Sequence, residues 1–195
     1  MSQVVAIEHL TLDGVYQAPA RADEDRRDGF ELGGWAMAAN APEMQQVIGA
    51  RMGSAWSLLA GRVTYEDLAG HWPKQAANPI TDALNNAEKF VISNTLAEPL
   101  SWENSTLLRG DGADAVERLK KRHDKRLVIF GSGALVQSLM QRNLVDEFVL
   151  QIHPLVLGKG RRLFAEGSPF AKFRLIESVP ISTGVVIVTY QSNLT

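Results

Sequence analysis

The sequence contains no cysteine and only four histidines among its 195 residues. Disulfide scaffolds and thiol nucleophiles are therefore excluded, and the histidines are too scattered along the chain to indicate a zinc site. We predict that the protein has no metal site. Its chemistry has to come from hydroxyl groups, carboxylates, backbone amides or a bound cofactor.

A large excess of charge of either sign is also missing. The chain has 20 basic and 22 acidic residues and a pI near 6.1, so it lacks the basic surplus that favours binding to nucleic acid. No apolar run reaches the roughly 18 residues of a membrane span, and no cationic segment precedes an apolar one at the N-terminus. We expect a cytoplasmic protein that binds neither nucleic acid nor membrane.

What the sequence does contain is a regular alternation of apolar segments. Hydrophobic residues make up 45% of the chain, enough for a substantial core, and the length fits one domain over residues 1–195. Strand-like runs alternate with segments of helical spacing, and the last two runs, 173–179 and 184–192, are close enough to form a hairpin. These patterns predict an α/β fold with a mainly parallel central sheet, flanking helices and an antiparallel C-terminal hairpin.

Small, hydroxylic or charged residues follow four of the predicted strands. In sheets of this class ligands bind at the carboxyl ends of the strands, so these junctions are the candidate binding residues. Their free N–H groups could hold a phosphate, and Arg62 adds a positive charge. The four junctions are Asp13-Gly14, Gly61 to Thr64, Ser93 to Thr95 and Gly131 to Gly133.

Each junction also has an ordinary structural explanation. Gly131 and Gly133 could serve only a tight turn and close helix packing, since Val136 replaces the third glycine of the dinucleotide fingerprint G-x-G-x-x-G. Asp13 precedes a glycine, as turn-forming aspartates do, and Thr64 could cap a helix. The nucleophile motif G-x-S-x-G is absent, because Phe130 stands at its first position. The individual residues leave both explanations open.

The junctions and their surroundings together resemble the dihydrofolate reductase-like superfamily, and within it the branch that contains the reductase domain of bacterial riboflavin biosynthesis. The resemblance covers nearly the whole chain in the expected order: LTLDG, GGWA, LLAGRVTYEDL, KFVISNTL, VIFGSGALVQSLM, LVDEFVLQIHPLVLGKGRRLF and TGVVIVTYQ. It implies a dihydrofolate reductase-like fold that binds NADPH.

The resemblance also implies a cofactor site. Three groups of residues in this chain match that site. They are Gly61, Arg62 and Thr64 at the cofactor phosphates; Ser93, Asn94 and Thr95 near the adenosine phosphate; and Gly131, Ser132, Gly133, Ala134 and Leu135 at the pyrophosphate. The bare backbone of the last group would let the dinucleotide phosphates approach a helix N-terminus.

We therefore predict an NADPH-dependent reductase for a small carbonyl, imine or pterin- or pyrimidine-like heterocycle. Asp13 would orient the substrate or relay a proton, and Glu43 is the acid nearest to the one that dihydrofolate reductases carry on their first helix. Trp35, which follows a loop of 18 residues (17–34), is a candidate wall of the substrate site. The alternative is a nucleotide-binding or ligand-sensing module without turnover.

Two further expectations concern context. The zinc-ligand motifs of the deaminase that accompanies the riboflavin reductase do not precede this sequence, so we expect a stand-alone relative with another substrate. The resembled reductases form homodimers, and either of the long β-forming segments 146–158 and 184–192 could lie at or near a sheet edge that pairs with a second copy, unless the loop 158–170 covers that edge.

Overall fold

Strand β1 (Val4–Thr11) lies inside an eight-stranded sheet in the computed structural model, which describes residues 1–192. It pairs in parallel with β5 (Arg126–Phe130) on one side and with β6 (Glu147–His153) on the other. The strand is almost wholly buried and apolar, as strands covered on both faces are. Its one acidic residue, Glu8, is therefore an exception within the core.

The other elements alternate as the sequence pattern predicts. The remaining strands are β2 (Trp56–Gly61), β3 (Lys89–Ile92), β4 (Ser105–Leu108), β7 (Phe173–Pro180) and β8 (Val186–Ser192). The helices are α1 (Pro42–Met52), α2 (Arg62–His71), α3 (Pro79–Asn86), α4 (Gly112–Arg122) and α5 (Gly133–Met140). Within residues 1–192, no helix has the length and apolar character that crossing a membrane requires.

The strand order is β4-β3-β2-β5-β1-β6-β8-β7. Strands β1 to β6 pair in parallel, whereas β8 is antiparallel to both β6 and β7. The predicted fold class, with its mainly parallel sheet and antiparallel C-terminal hairpin, is confirmed. Because β2, β5 and β1 are neighbours, the segments that follow them meet at one end of the sheet.

Helices cover both faces of the sheet because alternate residues of each strand are apolar on opposite sides. Ala6 and Leu10 of β1 pack in the core that α4 and α5 cover, whereas Val5 and Ile7 face α1. Helices α2 and α3 pack on the same face as α1, over β2 and β3. The alternation places Glu8, between Ala6 and Leu10, on the face of α5.

Two predicted boundaries differ from the structure. Helix α2 begins at Arg62, two residues before the predicted start at Thr64, because Gly61 has the extended backbone of an N-cap. Neither candidate segment is itself an edge, since the sheet ends at β4 and at β7, but β8 lies beside β7 and is therefore near an edge. The residues 162–167 of the proposed covering loop are held against α5 by Gln137 and Gln141.

Candidate active-site cleft

The carboxyl ends of β1, β2 and β5 open into a cleft of about 1060 Å³. Its walls come from α1, from the first turns of α2 and α5, and from the long loop after β1. The predicted residues that line it are Gly61, Arg62, Thr64, Gly131, Ser132, Gly133, Ala134 and Leu135. The structure therefore brings two of the predicted cofactor-binding groups together in one concave site.

Two hydrogen bonds fix the arrangement of these two groups. The Gly61 N–H donates to the Ser132 hydroxyl, and the Ser132 N–H donates to the Thr64 hydroxyl, both over 3.1 Å. Gly131 and Ser132 have φ values of 62° and 54°, in the left-handed region, and this turn aims the start of α5 at the cleft. The N-termini of α2 and α5 consequently converge on the same space.

Neither of these helices has a side chain that caps its N-terminus. The N–H groups of a first helical turn have no partner within the helix, and they carry the positive end of the helix dipole. Arg62 is the first residue of α2 and lines the same space. Its only ion pair, within the part of the chain that the structure describes, is with the half-exposed Glu66 at 3.0 Å. Such a pair is weak enough for a phosphate to replace.

Tyr16 lies directly over Gly133. A Cβ atom at position 133 would come within 2.3 Å of the Tyr16 ring, so the glycine is required for the ring to lie there. Both explanations given for this glycine, close packing and a backbone left free for phosphate, therefore apply to the same position. A phosphate can reach the first amides of α5 only if the Tyr16 ring moves aside.

The third predicted group, Ser93 to Thr95, lies outside the residues that line the cleft. The Ser93 hydroxyl accepts hydrogen bonds from the N–H groups of Thr95 and Leu96, and the Asn94 amide pairs with both backbone groups of Gly110. These contacts close the ends of β3 and β4. Because Ile92 of β3 is in register with Gly61, the group lies at the same end of the sheet as Arg62. Its binding role stays a prediction.

Asp13 holds a loop in place. Its carboxylate accepts hydrogen bonds from the Thr11 hydroxyl (2.6 Å), from the N–H groups of Leu157 and Gly158, and from the Arg162 guanidinium. The Thr11 bond, with those from the two amides, lowers the pKa of Asp13 to about 2. Asp13 is also not among the cleft residues. This geometry favours loop anchoring over the predicted proton relay.

The other two predicted residues have contacts outside the cleft. Glu43 accepts a hydrogen bond from the Ser182 hydroxyl (2.8 Å) and lines a separate groove between α1 and the β7–β8 connection. The Trp35 indole N–H donates to the Gln17 carbonyl, and its ring packs edge-on against His153. Trp35 thus stabilises the long loop, and neither residue is among those that line the cleft, so their predicted roles stay predictions.

Glu8 is the acid that the sequence analysis missed. It lines the cleft, its side chain is buried, and its Oε1 has no hydrogen-bond partner among residues 1–192. Burial raises the pKa of Glu8 well above its ordinary value. The signal was present in the sequence, because a glutamate interrupts the apolar run VVAIEHL.

A pair of neutral histidines lies on the opposite face of β1. His9 Nδ1 and His153 Nε2 are 2.9 Å apart, so one ring donates to the other. Burial, with the neighbouring His153, lowers the pKa of His9 to about 3, and burial lowers that of His153 to about 4. Across residues 1–192, no three histidine or acidic side chains are grouped so that they could hold a metal ion.

Known proteins share both the sequence pattern and the fold. Residues 3–187 match the RibD C-terminal domain family. The chain is 30% identical to YyaP of Bacillus subtilis (strain 168) over 143 residues, which cover 70% of this chain and 74% of YyaP. A second Bacillus subtilis (strain 168) protein, YwjB, is 33% identical over 73 residues, or 37% of this chain and 42% of YwjB.

Two solved structures show how widely the fold is shared. A Shewanella sp. PV-4 protein named for riboflavin biosynthesis has a TM-score of 0.73 at 23% identity, with 98% of this chain and 99% of that chain covered. Dihydrofolate reductase from Enterococcus faecalis, solved with NADP(H), has a TM-score of 0.63 at 14% identity, with 98% and 96% covered. The predicted resemblance is confirmed, and the chain belongs to the RibD C-terminal domain family.

Proposed function

We propose that the protein is an NADPH-dependent reductase that transfers a hydride to a small carbonyl, imine or pterin- or pyrimidine-like heterocycle. The observation that carries this proposal is the convergence of two uncapped helix N-termini and Arg62 on one cleft. Helix N-termini favour anions through their free N–H groups and their dipoles, so the two together suit the pyrophosphate of a dinucleotide.

The residues present fit this cofactor. The backbone of Gly131 to Gly133 is bare apart from the Tyr16 ring, and the hydroxyls of Ser132 and Thr64 already orient the two helix starts. A reduced nicotinamide, when bound, supplies the hydride. The protein supplies position, charge and exclusion of water.

One part of the cleft lining suits an apolar, planar acceptor. Met44, Ile48 and Met52 of α1 line the cleft together with Trp56 and Phe130, and the five side chains belong to one apolar cluster. The rings of Trp56 and Phe130 meet edge to face with centroids 6.2 Å apart, which holds both in place. Apolar and aromatic walls with few polar groups are the usual lining of small-molecule sites. This wall supports a heterocyclic or other flat substrate.

The proposal is tested by titrating the protein with NADPH and with NADH, followed by an NADPH oxidation assay across candidate carbonyls, imines and pterins. We expect NADPH to bind more tightly, because Arg62 can bind its additional phosphate. Arg62→Ala should weaken NADPH binding by about 1.5–3 kcal/mol, the worth of charged hydrogen bonds, and should affect NADH far less.

Arg118→Ala is the matched control, because Arg118 is an exposed arginine on α4. It should leave both affinities unchanged. Equal losses of NADPH and NADH in the Arg62 variant would remove Arg62 from the additional phosphate. NADPH binding with no turnover of any substrate would favour the nucleotide-binding module instead, and no binding of either cofactor would contradict the proposal itself.

The proposal includes a symmetric homodimer that forms through β7. This strand is one of the two edges of the sheet, with β4 at the other, and its Leu175 and Ile176 are 54% and 40% exposed. An edge of this kind can pair with a second copy. Leu175→Lys should halve the mass measured by light scattering, whereas Leu12→Lys, at another exposed leucine, should not. A monomer mass for the unmodified protein would contradict the dimer.

A further inference from the structure

Glu8 lies beside the turn that begins α5. In the parallel pairing of β1 with β5, Ile7 is in register with Phe130, so Glu8 is level with Gly131. Its side chain lies on the α5 face of the sheet, between Ala6 and Leu10. The carboxyl group therefore lies next to the place where the first amides of α5 meet the cleft.

The surroundings of Glu8 provide no compensation for a negative charge. The side chain is 2% exposed, and its Oε1 is buried without a hydrogen-bond partner. Helix α5 (Gly133–Met140) carries no titratable side chain, and Leu150 is the strand neighbour on β6. An uncompensated buried carboxylate is costly, so a purely structural role would be served better by an apolar residue.

Three other titratable groups lie near Glu8. Tyr16, which covers Gly133, is the group whose pKa responds to Glu8. Burial raises the pKa of Tyr16, and the Glu8 charge raises it further. His9 and His153 lie on the opposite face of β1 and are neutral, since their pKa values are lowered to about 3 and 4. None of the three can neutralise a Glu8 carboxylate at neutral pH.

We infer that Glu8 is the catalytic acid of this cleft: it is a neutral carboxylic acid when a dinucleotide occupies the glycine turn, and it supplies the proton that accompanies reduction of the acceptor. This inference rests on the proposed function. A second negative charge beside the bound phosphates would be repelled in a site that excludes water, so the occupied site favours the protonated form.

The proton transfer is balanced within the proposed reaction. The carboxyl O–H bond of Glu8 breaks, and a new N–H or O–H bond forms on the heteroatom of the acceptor, whose carbon receives the hydride from the reduced nicotinamide. The remaining carboxylate regains its proton from solvent when the product leaves. Neither Asp13, which already accepts four hydrogen bonds, nor Glu43, which lies in another groove, is placed for this step.

The test is a count of the protons that accompany NADPH binding. Calorimetric titration with NADPH in buffers of different ionisation enthalpy gives this number at each pH. Above the pKa of Glu8 the unmodified protein should take up as much as one proton more than Glu8→Gln, and its NADPH affinity should fall by up to about tenfold per pH unit. In Glu8→Gln this component of the pH dependence should be lost.

Glu147→Gln is the matched control. Glu147 also lies on a central strand, and its buried Oε1 accepts no hydrogen bond within residues 1–192, but it begins β6 at the opposite end of the sheet and lies 3.9 Å from the Arg126 guanidinium. It should retain the proton uptake of the unmodified protein. An infrared band of a protonated carboxyl in the NADPH complex should likewise be lost only in Glu8→Gln.

The outcomes separate the two proposals. If the unmodified protein does not bind NADPH, the proposed function fails before Glu8 is tested. If NADPH binds and Glu8→Gln shows the same proton uptake and the same infrared band, the inference about Glu8 is wrong while the cofactor site stands. For any substrate found in the oxidation assay, Glu8→Gln should also lower kcat more than it changes KM.

Discussion

Buried charged residues occur at both ends of the central strands, but their surroundings differ. At the amino end, the Lys89 ammonium donates to the carbonyls of Asn85, Ala87 and Glu103 at 2.8–3.0 Å and lies 4.4 Å from the Trp102 ring. Lys120 likewise pairs with Asp146 and the Leu144 carbonyl.

At the carboxyl end, Glu8 Oε1 and His153 Nδ1 are buried without a partner. Proteins satisfy nearly all buried polar groups, so the exceptions call for an explanation. At the amino end the buried charges have charged or polar partners: both lysines use their donors, and Glu147 Oε1, which accepts no hydrogen bond within residues 1–192, lies 3.9 Å from the Arg126 guanidinium. At the carboxyl end Glu8 lines the cleft, where a ligand can approach its carboxyl group, whereas His153 lies outside the residues that line it. The partners of a buried charge, and not its burial alone, therefore distinguish a structural role from a catalytic one.

We expect the largest change in stability when a buried charge that has all its hydrogen-bond partners is removed. Lys89→Met keeps the approximate length of the side chain but removes the donor that three carbonyls share, so we expect the free energy of unfolding to fall by about 3 kcal/mol. Urea unfolding measures this loss. NADPH affinity of the folded protein should not change, because Lys89 begins β3 at the end of the sheet opposite the cleft.

Lys125→Met provides the comparison for that measurement. Lys125 also forms an ion pair, with Glu88 at 2.7 Å, but both side chains are substantially exposed. Its loss should reduce the free energy of unfolding far less than the loss of Lys89 does, because solvent screens an exposed pair. If the Lys89 and Lys125 variants were equally stable, a buried lysine with all its donors used would contribute no more to stability than an exposed ion pair, and the contrast would be wrong.

A smaller effect is expected at Gly133, and it separates the two explanations for this glycine. Gly133→Ala places a Cβ inside the Tyr16 ring volume, so overpacking should reduce stability by about 1–3 kcal/mol. Tyr16→Ala should relieve most of that loss in the double variant, as a thermal or urea unfolding cycle would show.

NADPH titration of the same double variant tests the binding explanation. If the bare backbone is needed for phosphate, then Gly133→Ala should still weaken NADPH binding when the Tyr16 ring is absent. Full recovery of NADPH affinity in the double variant would leave Gly133 with a packing role alone.

The sequence allowed the fold and half of the site to be predicted. Strand-end residues such as Arg62 and Gly131 follow from the rule that ligands bind at the carboxyl ends of parallel strands. The role of Asp13 could not be predicted, because its donors at Leu157 and Gly158 lie more than 140 positions away in the sequence. The edge position of β7 was missed for a similar reason: the pairing of β8 with β6 is set by long-range contacts.

The smallest expected effect has the opposite sign. At pH values below 4.5, the ordinary pKa of a glutamate side chain, Glu8 is protonated in both the folded and the unfolded protein, and Glu8→Gln should have little effect. As the pH rises above this value, the unfolded chain ionises while the folded protein retains the proton. The stability of the unmodified protein therefore falls relative to Glu8→Gln until the pH passes the raised pKa of Glu8, where the difference becomes constant.

We expect the Glu8→Gln protein to be the more stable of the two at that plateau, since an unpaired buried acid is replaced by a neutral amide of the same shape. Urea unfolding across the pH range measures the difference, with Glu147→Gln as the reference. A variant that gains stability with rising pH and loses its proton uptake on NADPH binding would show that Glu8 is kept for function at a cost to the fold. A Glu8→Gln variant that is less stable at every pH would instead show that the carboxyl group has a structural partner, and the contrast between the two ends of the sheet would not hold.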